Sequence, residues 1–307
     1  MKPIFLMGPT ASGKTAAAID LASRFPAEII SVDSALVFRH MDIGTAKPEK
    51  EILSTVPHHL IDIIDPDEAY SAGRFRDDAT RLISGIMARG KIPLLVGGTM
   101  LYFKALSEGL NELPKADMAV RAQIDEMAKE RGWPAMHEML RGVDPETAAR
   151  LEPGDSQRIQ RALEVWMITK TPMSRLISQK RSEPDFEFVR IALIPSERSA
   201  LHRRIESRFL AMLETGLVEE TESLRKKFTL DPSMPSMRTV GYRQAWQYLE
   251  GEFGKSELIE KGIAATRQLA KRQLTWLRSM NNLENFDCLE KDAGGRICDF
   301  LQRTLFE

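Results

Sequence analysis

Ile4-Phe5-Leu6-Met7-Gly8-Pro9-Thr10-Ala11-Ser12-Gly13-Lys14-Thr15 decides how this chain folds. Ile4 to Met7 read as a short buried strand, and Gly8 to Thr15 match the spacing G-x-x-x-x-G-K-[ST], which cradles phosphate between a strand and a helix. Ala16 to Arg24 continue with helical apolar spacing, so strand, loop and helix stand in the order the motif requires. The glycines let the backbone curl round an anion, the N–H groups of the loop point inward, and the helix dipole adds partial positive charge. Gly8, Pro9, Thr10, Ala11, Ser12, Gly13, Lys14 and Thr15 are therefore the expected diphosphate- or nucleotide-binding segment, suited to ATP as to any polyphosphate. Lys14 would neutralise phosphate oxygens, and Thr15 would offer its hydroxyl to a Mg2+ that the phosphates help to hold. The motif specifies an anion and a metal and leaves open which group is transferred.

Working outward, Pro3 to Met7, Glu28 to Val32, Ile92 to Val96 and Val189 to Ile194 are apolar and rich in β-branched residues, the pattern of buried parallel strands. Ala16 to Arg24 and Ser71 to Arg89 have the spacing of helices packed on a sheet, with Ser71 as a cap. The fold class is α/β: a doubly wound parallel sheet of the P-loop NTPase-like kind. Ligands gather beyond the carboxyl ends of such strands, where Gly8, Asp33 and Gly97-Gly98-Thr99 fall. The stretch between the third and fourth strands is too long for a simple crossover and reads as helices from Asp117 to about Glu187. We expect a core of residues 1–115 and 188–307 carrying an inserted helical subdomain of residues 116–187, with edges near Leu113-Pro114 and Ser182-Glu183-Pro184.

Composition narrows the class further. The longest apolar runs, such as Pro93-Leu94-Leu95-Val96, are far short of the roughly 20 residues that span a bilayer. A cleavable leader would have to destroy the phosphate loop, so we expect a cytoplasmic protein. Cys288 and Cys298 form no metal-spaced cluster with the histidines. The net charge of -1 decides nothing about nucleic acid, whereas its distribution is informative. From Lys261 to Arg278 every charged residue is positive: Lys261, Arg267, Lys271, Arg272 and Arg278. That pattern suits a solvated helix face and RNA phosphates equally.

Three further segments carry candidate chemistry. Asp33 ends a buried strand beside the phosphate loop, where it suits a Mg2+ partner, a general base or the cap of the next turn. Gly97-Gly98 ends the third strand where a missing side chain would let substrate approach the backbone, with the Thr99 hydroxyl pointing into the cleft. Arg158 and Arg161 share a helix face in Asp155-Ser156-Gln157-Arg158-Ile159-Gln160-Arg161, free for RNA or paired with Asp155 or Glu164. Arg238-Thr239-Val240-Gly241-Tyr242-Arg243 combines two guanidinium groups with an aromatic ring, materials for phosphate contact and base stacking.

Together with Met41-Asp42-Ile43-Gly44-Thr45-Ala46-Lys47-Pro48, His58-His59-Leu60-Ile61-Asp62 and Tyr70-Ser71-Ala72-Gly73-Arg74-Phe75, these segments resemble the successive motifs of bacterial tRNA dimethylallyltransferases over nearly the whole chain. Phe38 and Met100 stand where that family more often has tyrosine and glycine. The resemblance implies transfer of a dimethylallyl group from dimethylallyl diphosphate to N6 of adenosine 37, in tRNAs that read codons beginning with U. It implies Mg2+ as cofactor, the tRNA anticodon stem-loop as partner, and a monomer as working unit. Asp33 would then be the base for a poorly nucleophilic amine, Lys14 would bind the leaving diphosphate, and Thr99 would donate toward its bridging oxygen. The implied tRNA contacts are Asp33, Ser34, Ala35, Leu36, Thr99, Arg121, Gln157, Arg158, Ile159, Gln160, Arg161, Arg238, Thr239, Val240, Gly241, Tyr242, Arg243, Lys271, Arg272 and Arg278.

Overall fold

The structure, a computed structural model, describes residues 2–111, 113–178 and 185–306. In chain order its elements are β1 (Ile4–Met7), α1 (Lys14–Arg24), β2 (Ala27–Val32), α2 (Lys50–Thr55), β3 (His58–His59), α3 (Ala72–Ala88), β4 (Ile92–Gly97) and α4 (Met100–Glu108). Then come α5 (Met118–Arg131), α6 (Trp133–Val143), α7 (Pro145–Ala148), α8 (Ser156–Thr169) and α9 (Met173–Ile177). The rest is β5 (Val189–Ile194), α10 (Arg198–Glu214), α11 (Leu217–Lys227), α12 (Tyr242–Leu249), α13 (Lys255–Arg278), β6 (Glu284–Asp287) and α14 (Ala293–Phe306).

The six strands form one parallel sheet in the order β3-β2-β4-β1-β5-β6. Alternation along the strands explains why helices cover both faces. Phe5, Met7, Ile30, Val32 and Leu95 pack against Phe75, Ala79, Ile83 and Ile86 of α3. Ile4, Leu6, Ile29 and Leu94 pack on the other face against Ala18 and Leu21 of α1 and Ile297 and Leu301 of α14. Each of these side chains larger than alanine contributes about 1.5–3 kcal/mol by leaving water. The Ser71 hydroxyl accepts from the Arg74 N–H at 3.1 Å and caps α3, as its position predicts. β3 and β6 are additions to the sequence-based reading: both are short edge strands, His-His and Glu-Asn-Phe-Asp, without the apolar run that marks a central strand.

The chain divides into two compact units, one of Met1–Ser107 with Asp185–Glu307 and one of Glu108–Pro184. In the first, α10 to α13 build a separate core in which Val37, Phe38, Met41, Phe209, Leu217, Tyr242 and Trp246 are buried. Phe38 is 1% exposed, so this position is filled for packing. The second unit closes α5, α6 and α8 round Ile124, Met136, Leu140, Ile159 and Leu163. Its buried Asp144 caps α7 and also accepts from the Ser174 N–H at 3.0 Å, which burial would disfavour and these bonds reward. The boundary expected at Ser182-Glu183-Pro184 lies outside the described residues. Among the described residues no helix is long and apolar enough to cross a membrane.

Candidate active site

The loop leaving β1 reaches α1 through two residues of left-handed backbone, Ala11 at φ 63° and Gly13 at φ 81°. Alternating hand of this kind is the backbone pattern of an anion nest at a helix N-terminus, with the Thr10 N–H donating to Gln273 Oε1 at 2.8 Å and the Ser12 N–H to the Pro9 carbonyl at 3.3 Å. The Lys14 ammonium donates to the Pro9 carbonyl at 2.6 Å, so the cation lies folded against the loop. Burial pushes its pKa down to about 8, with the Asp33 carboxylate opposing the shift and Arg208 adding to it. Ser12 is 2% exposed and its hydroxyl has no hydrogen-bond partner among the described residues. A phosphate oxygen would relieve that cost.

Asp33 follows the last residue of β2. Its Oδ1 accepts from the Ala35 N–H at 2.8 Å, so the turn-capping role is realised, and Oδ2 has no hydrogen bond among the described residues. Thr99 stands just beyond β4, where its Oγ1 accepts from the Ser34 N–H at 3.0 Å and lies 3.3 Å from the Ser34 hydroxyl. The strand-end loops of β2 and β4 are therefore tied together through this hydroxyl. Gly97 and Gly98 line the cleft and also make a close approach within the protein. A Cβ on Gly97 would lie 2.0 Å from the Val32 carbonyl oxygen, and one on Gly98 would lie 2.3 Å from the Gln273 amide nitrogen. The missing side chains make room for the protein's own backbone and for Gln273.

Thr10, Lys14, Thr15, Asp33, Arg208 and Gln273 open on a single cleft of about 190 Å³ at the carboxyl ends of the strands. Arg208 and Gln273 are absent from the sequence-based list. Arg208 makes no hydrogen bond or ion pair among the described residues; burial lowers its pKa and Asp33 works against that. An arginine held partly desolvated and unpaired beside Lys14 suits a second phosphate contact. Its neighbours in α10 include Arg198, Arg203 and Arg204, so nothing local marks it. Gln273 did leave a signal, as the one amide in the buried stripe Ala270, Gln273, Leu274, Leu277 of α13.

The cleft wall opposite the phosphate loop includes Gly44, Thr45 and Thr239. One carboxylate organises it: Glu220 accepts from the N–H groups of Asp42 and Ile43, each at 2.9 Å, from the Gly44 N–H at 3.3 Å, and from the Tyr242 hydroxyl. Lys47 fixes the same loop by donating to the Phe38 carbonyl at 3.0 Å and by pairing with Asp42 and Asp62. The motif from Met41 to Pro48 is thus a brace. Tyr242 is a correction to the stacking role expected of it, because its ring is 0% exposed and its hydroxyl is consumed by Glu220.

Thr239, Val240 and Gly241 line the cleft, and Ala35 and Leu36 line it beside Asp33. Ser34, Arg238, Arg243, Lys271, Arg272 and Arg278 are exposed. None of these five cations forms an ion pair among the described residues, whereas Arg267 pairs with Glu206 at 2.9 Å. Burial, followed by repulsion from Arg243, lowers the pKa of Arg238, so two unneutralised guanidinium groups stand close together.

Within the helical unit Arg121, Arg158 and Arg161 have partners. Glu164 is 0% exposed and receives Arg121 at 2.9 Å and Arg161 at 2.6 Å, while Arg161 also donates to the Pro114 carbonyl at 2.7 Å. Burial alone would raise the Glu164 pKa, and the two arginines with the Asp117 N–H outweigh it and lower it. Arg158 pairs with Asp155 at 3.1 Å, and Gln160 donates to Asp125 at 2.6 Å. Gln157 is exposed. Ile159 is a second correction: it is 0% exposed in the unit's core, so its side chain is unavailable to RNA.

For Mg2+ the residues fit in a specific way. No group of three or more His, Cys, Asp or Glu among the described residues gathers to hold a metal, so the protein alone builds no cage. Thr15 and the 4% exposed Ser31 line the cleft, and the Ser31 Oγ has no hydrogen-bond partner among the described residues. Such a set suits a small hydrated cation that takes most of its ligands from phosphate and water.

The family model described as IPP transferase matches residues 36–280. Proteins named tRNA dimethylallyltransferase from Burkholderia cenocepacia (strain HI2424) and Thiobacillus denitrificans are each 59% identical, over 98% and 95% of this chain and 94% of theirs. The crystal structure of the full-length tRNA isopentenylpyrophosphate transferase from Bacillus halodurans is 37% identical with a TM-score of 0.73, covering 99% of this chain and 96% of that one. A eukaryotic dimethylallyltransferase acting on tRNA is 25% identical with a TM-score of 0.81, over 99% of this chain and 80% of its own. With the phosphate nest, the strand-end aspartate and the braced cleft all in place, the matches converge on one conclusion: the chain belongs to the IPP transferase family.

Proposed function

We propose that this enzyme transfers the dimethylallyl group of dimethylallyl diphosphate to N6 of adenosine 37 in tRNAs reading codons that begin with U. The observation that carries this reading is the single cleft onto which Lys14, Arg208 and the Asp33 carboxylate all open. Two cations and a carboxylate lining one cleft suit the departure of an anion and the activation of an incoming nucleophile.

The diphosphate lies in the nest from Gly8 to Thr15, with Lys14 leaving the Pro9 carbonyl to meet it and Arg208 closing from α10. The carbon–oxygen bond of the donor breaks, its electron pair departs with diphosphate, and a carbon–nitrogen bond forms at the adenine amine. Asp33 Oδ2 takes the proton that the amine loses, while Oδ1 stays anchored to the Ala35 N–H and keeps the carboxylate aimed. Thr99 keeps Oγ1 bonded to the Ser34 N–H and turns its own proton toward the bridging oxygen. Bound Mg2+ would supply further charge stabilisation for the diphosphate, with Thr15 as the protein ligand. Extruding the adenine costs a few kcal/mol, less from a loop than from a duplex. Arg238, Arg243, Lys271, Arg272 and Arg278 supply the phosphate contacts that offset it.

The test is incubation with radiolabelled dimethylallyl diphosphate and unmodified tRNA, followed by mass spectrometry of the digested RNA. The expected result is one added five-carbon unit on a single adenosine. RNA left unlabelled while the enzyme passes the terminal phosphate of ATP to a metabolite would replace this reading with a kinase.

A further inference from the structure

Helix α13 carries two different faces. Lys271, Arg272 and Arg278 are exposed and form no ion pair among the described residues, while Gln273, Leu274 and Leu277 are buried. Gln273 is polar where its neighbours are apolar, and both ends of its amide are in use. Its Oε1 accepts from the Thr10 N–H of the phosphate loop at 2.8 Å, and its Nε2 donates to the Gly98 carbonyl at 2.9 Å, one residue before Thr99. A leucine or methionine would fill the same volume, so packing alone does not call for an amide here. Gly98 has also given up its side chain to admit it.

From this geometry we infer that Gln273 is a positioning residue that couples RNA docking on α13 to donor binding in the phosphate loop. The inference rests on the function proposed above and adds a route within it. When the α13 cations engage RNA phosphates, the helix is held in one place. The amide bonds to the Thr10 N–H and the Gly98 carbonyl then carry that restraint to the nest and to the Thr99 hydroxyl before diphosphate arrives. A loop already ordered by the first ligand costs less to order for the second, and the coupling is reciprocal.

The experiment uses the full chain with Mg2+, inorganic pyrophosphate as the donor-site probe and an unmodified anticodon stem-loop RNA, with affinities read by calorimetry. RNA should tighten pyrophosphate binding by about fivefold or more in the wild type, the usual lower range for coupled sites. Gln273→Met should reduce that ratio below about twofold, whatever it does to either ligand alone. Gln273→Asn keeps the polar group but loses the reach to span both partners, and should lose the coupling as well. A purely structural bond would weaken each ligand alone and leave the ratio intact. Unchanged coupling in either variant, or none in the wild type, overturns the inference. A readout free of substitutions is hydrogen exchange at the Thr10 amide of the wild type, which RNA alone should slow; no slowing also overturns it. Normal RNA labelling with unaltered coupling would defeat this inference alone, whereas absent labelling would defeat the proposed function first.

Discussion

The phosphate-loop cleft and the arginine-bearing helix of the inserted unit use the same residue types in opposite ways. In the cleft, Arg208, Oδ2 of Asp33 and the Ser12 and Ser31 hydroxyls have no hydrogen-bond partner among the described residues, while the backbone around them is fastened by Gln273, Thr99 and Glu220. On α8, Arg158 and Arg161 are spent on Asp155 and Glu164. Unsatisfied polar groups on a rigid frame indicate a place built for a ligand, whereas satisfied arginines indicate a place built to fold. Arg161 and Arg121 together over-neutralise Glu164, so a residual positive charge is still available to RNA from that unit.

The sharpest way to break this contrast is Asp33→Asn, which keeps the cap on the following turn and removes the base. Transfer should slow by roughly 10²–10⁴-fold with tRNA affinity retained. Near-normal turnover in a single-turnover assay would make Asp33 a turn residue only. Next in size is Arg161→Ala, which leaves the buried Glu164 with Arg121 as its one remaining arginine, beside the Asp117 N–H. We expect a loss of about 3 kcal/mol from the helical unit, at the low end for a broken buried pair because Arg121 remains. Thermal unfolding followed by circular dichroism measures it, and an unaltered melt would mean that Arg161 is held for RNA instead.

Arg208→Ala should cost about 1.5–3 kcal/mol of donor binding, the worth of hydrogen bonds to a charged group, seen as a raised KM for dimethylallyl diphosphate. A smaller effect is expected from pH. The folded enzyme holds Lys14 at about 8 because burial disfavours its charge, so protonated Lys14 is present below that value and lost above it. Donor kcat/KM should therefore fall as pH rises through about 8, and Lys14→Arg should move this limb upward. A profile unchanged by that substitution would assign the limb to another group. The smallest expected change is in Arg243→Ala, which should lower the salt slope of tRNA binding by about one.

Much of the core was legible because its signals are local. The apolar run before Gly8, the glycine spacing and the carboxylate after Val32 lie within short stretches of chain, and backbone geometry then fixes their relation. Arg208 was not legible, because its position depends on how α10 crosses the cleft and its helix carries several arginines. Ile159 and Tyr242 were read as parts of motifs, although each belongs to a buried stripe. Ile159 precedes Ala162 and Leu163 by three and four residues, and Tyr242 does the same for Ala245 and Trp246. Periodicity should have overruled the motif at both positions. β3 and β6 escaped because an edge strand needs only half the apolar pattern of a central one.

Gly44 sits under the ring of Tyr242, where a Cβ would come within 2.5 Å of a ring carbon. Any side chain at residue 44 therefore demands a smaller neighbour at 242, and that change would leave Glu220 short of a hydroxyl donor. The three positions behave as one inherited unit: across related chains they should vary jointly or stay fixed, and a lone alanine at 44 should be purged as a collision before it is ever tested as a catalyst.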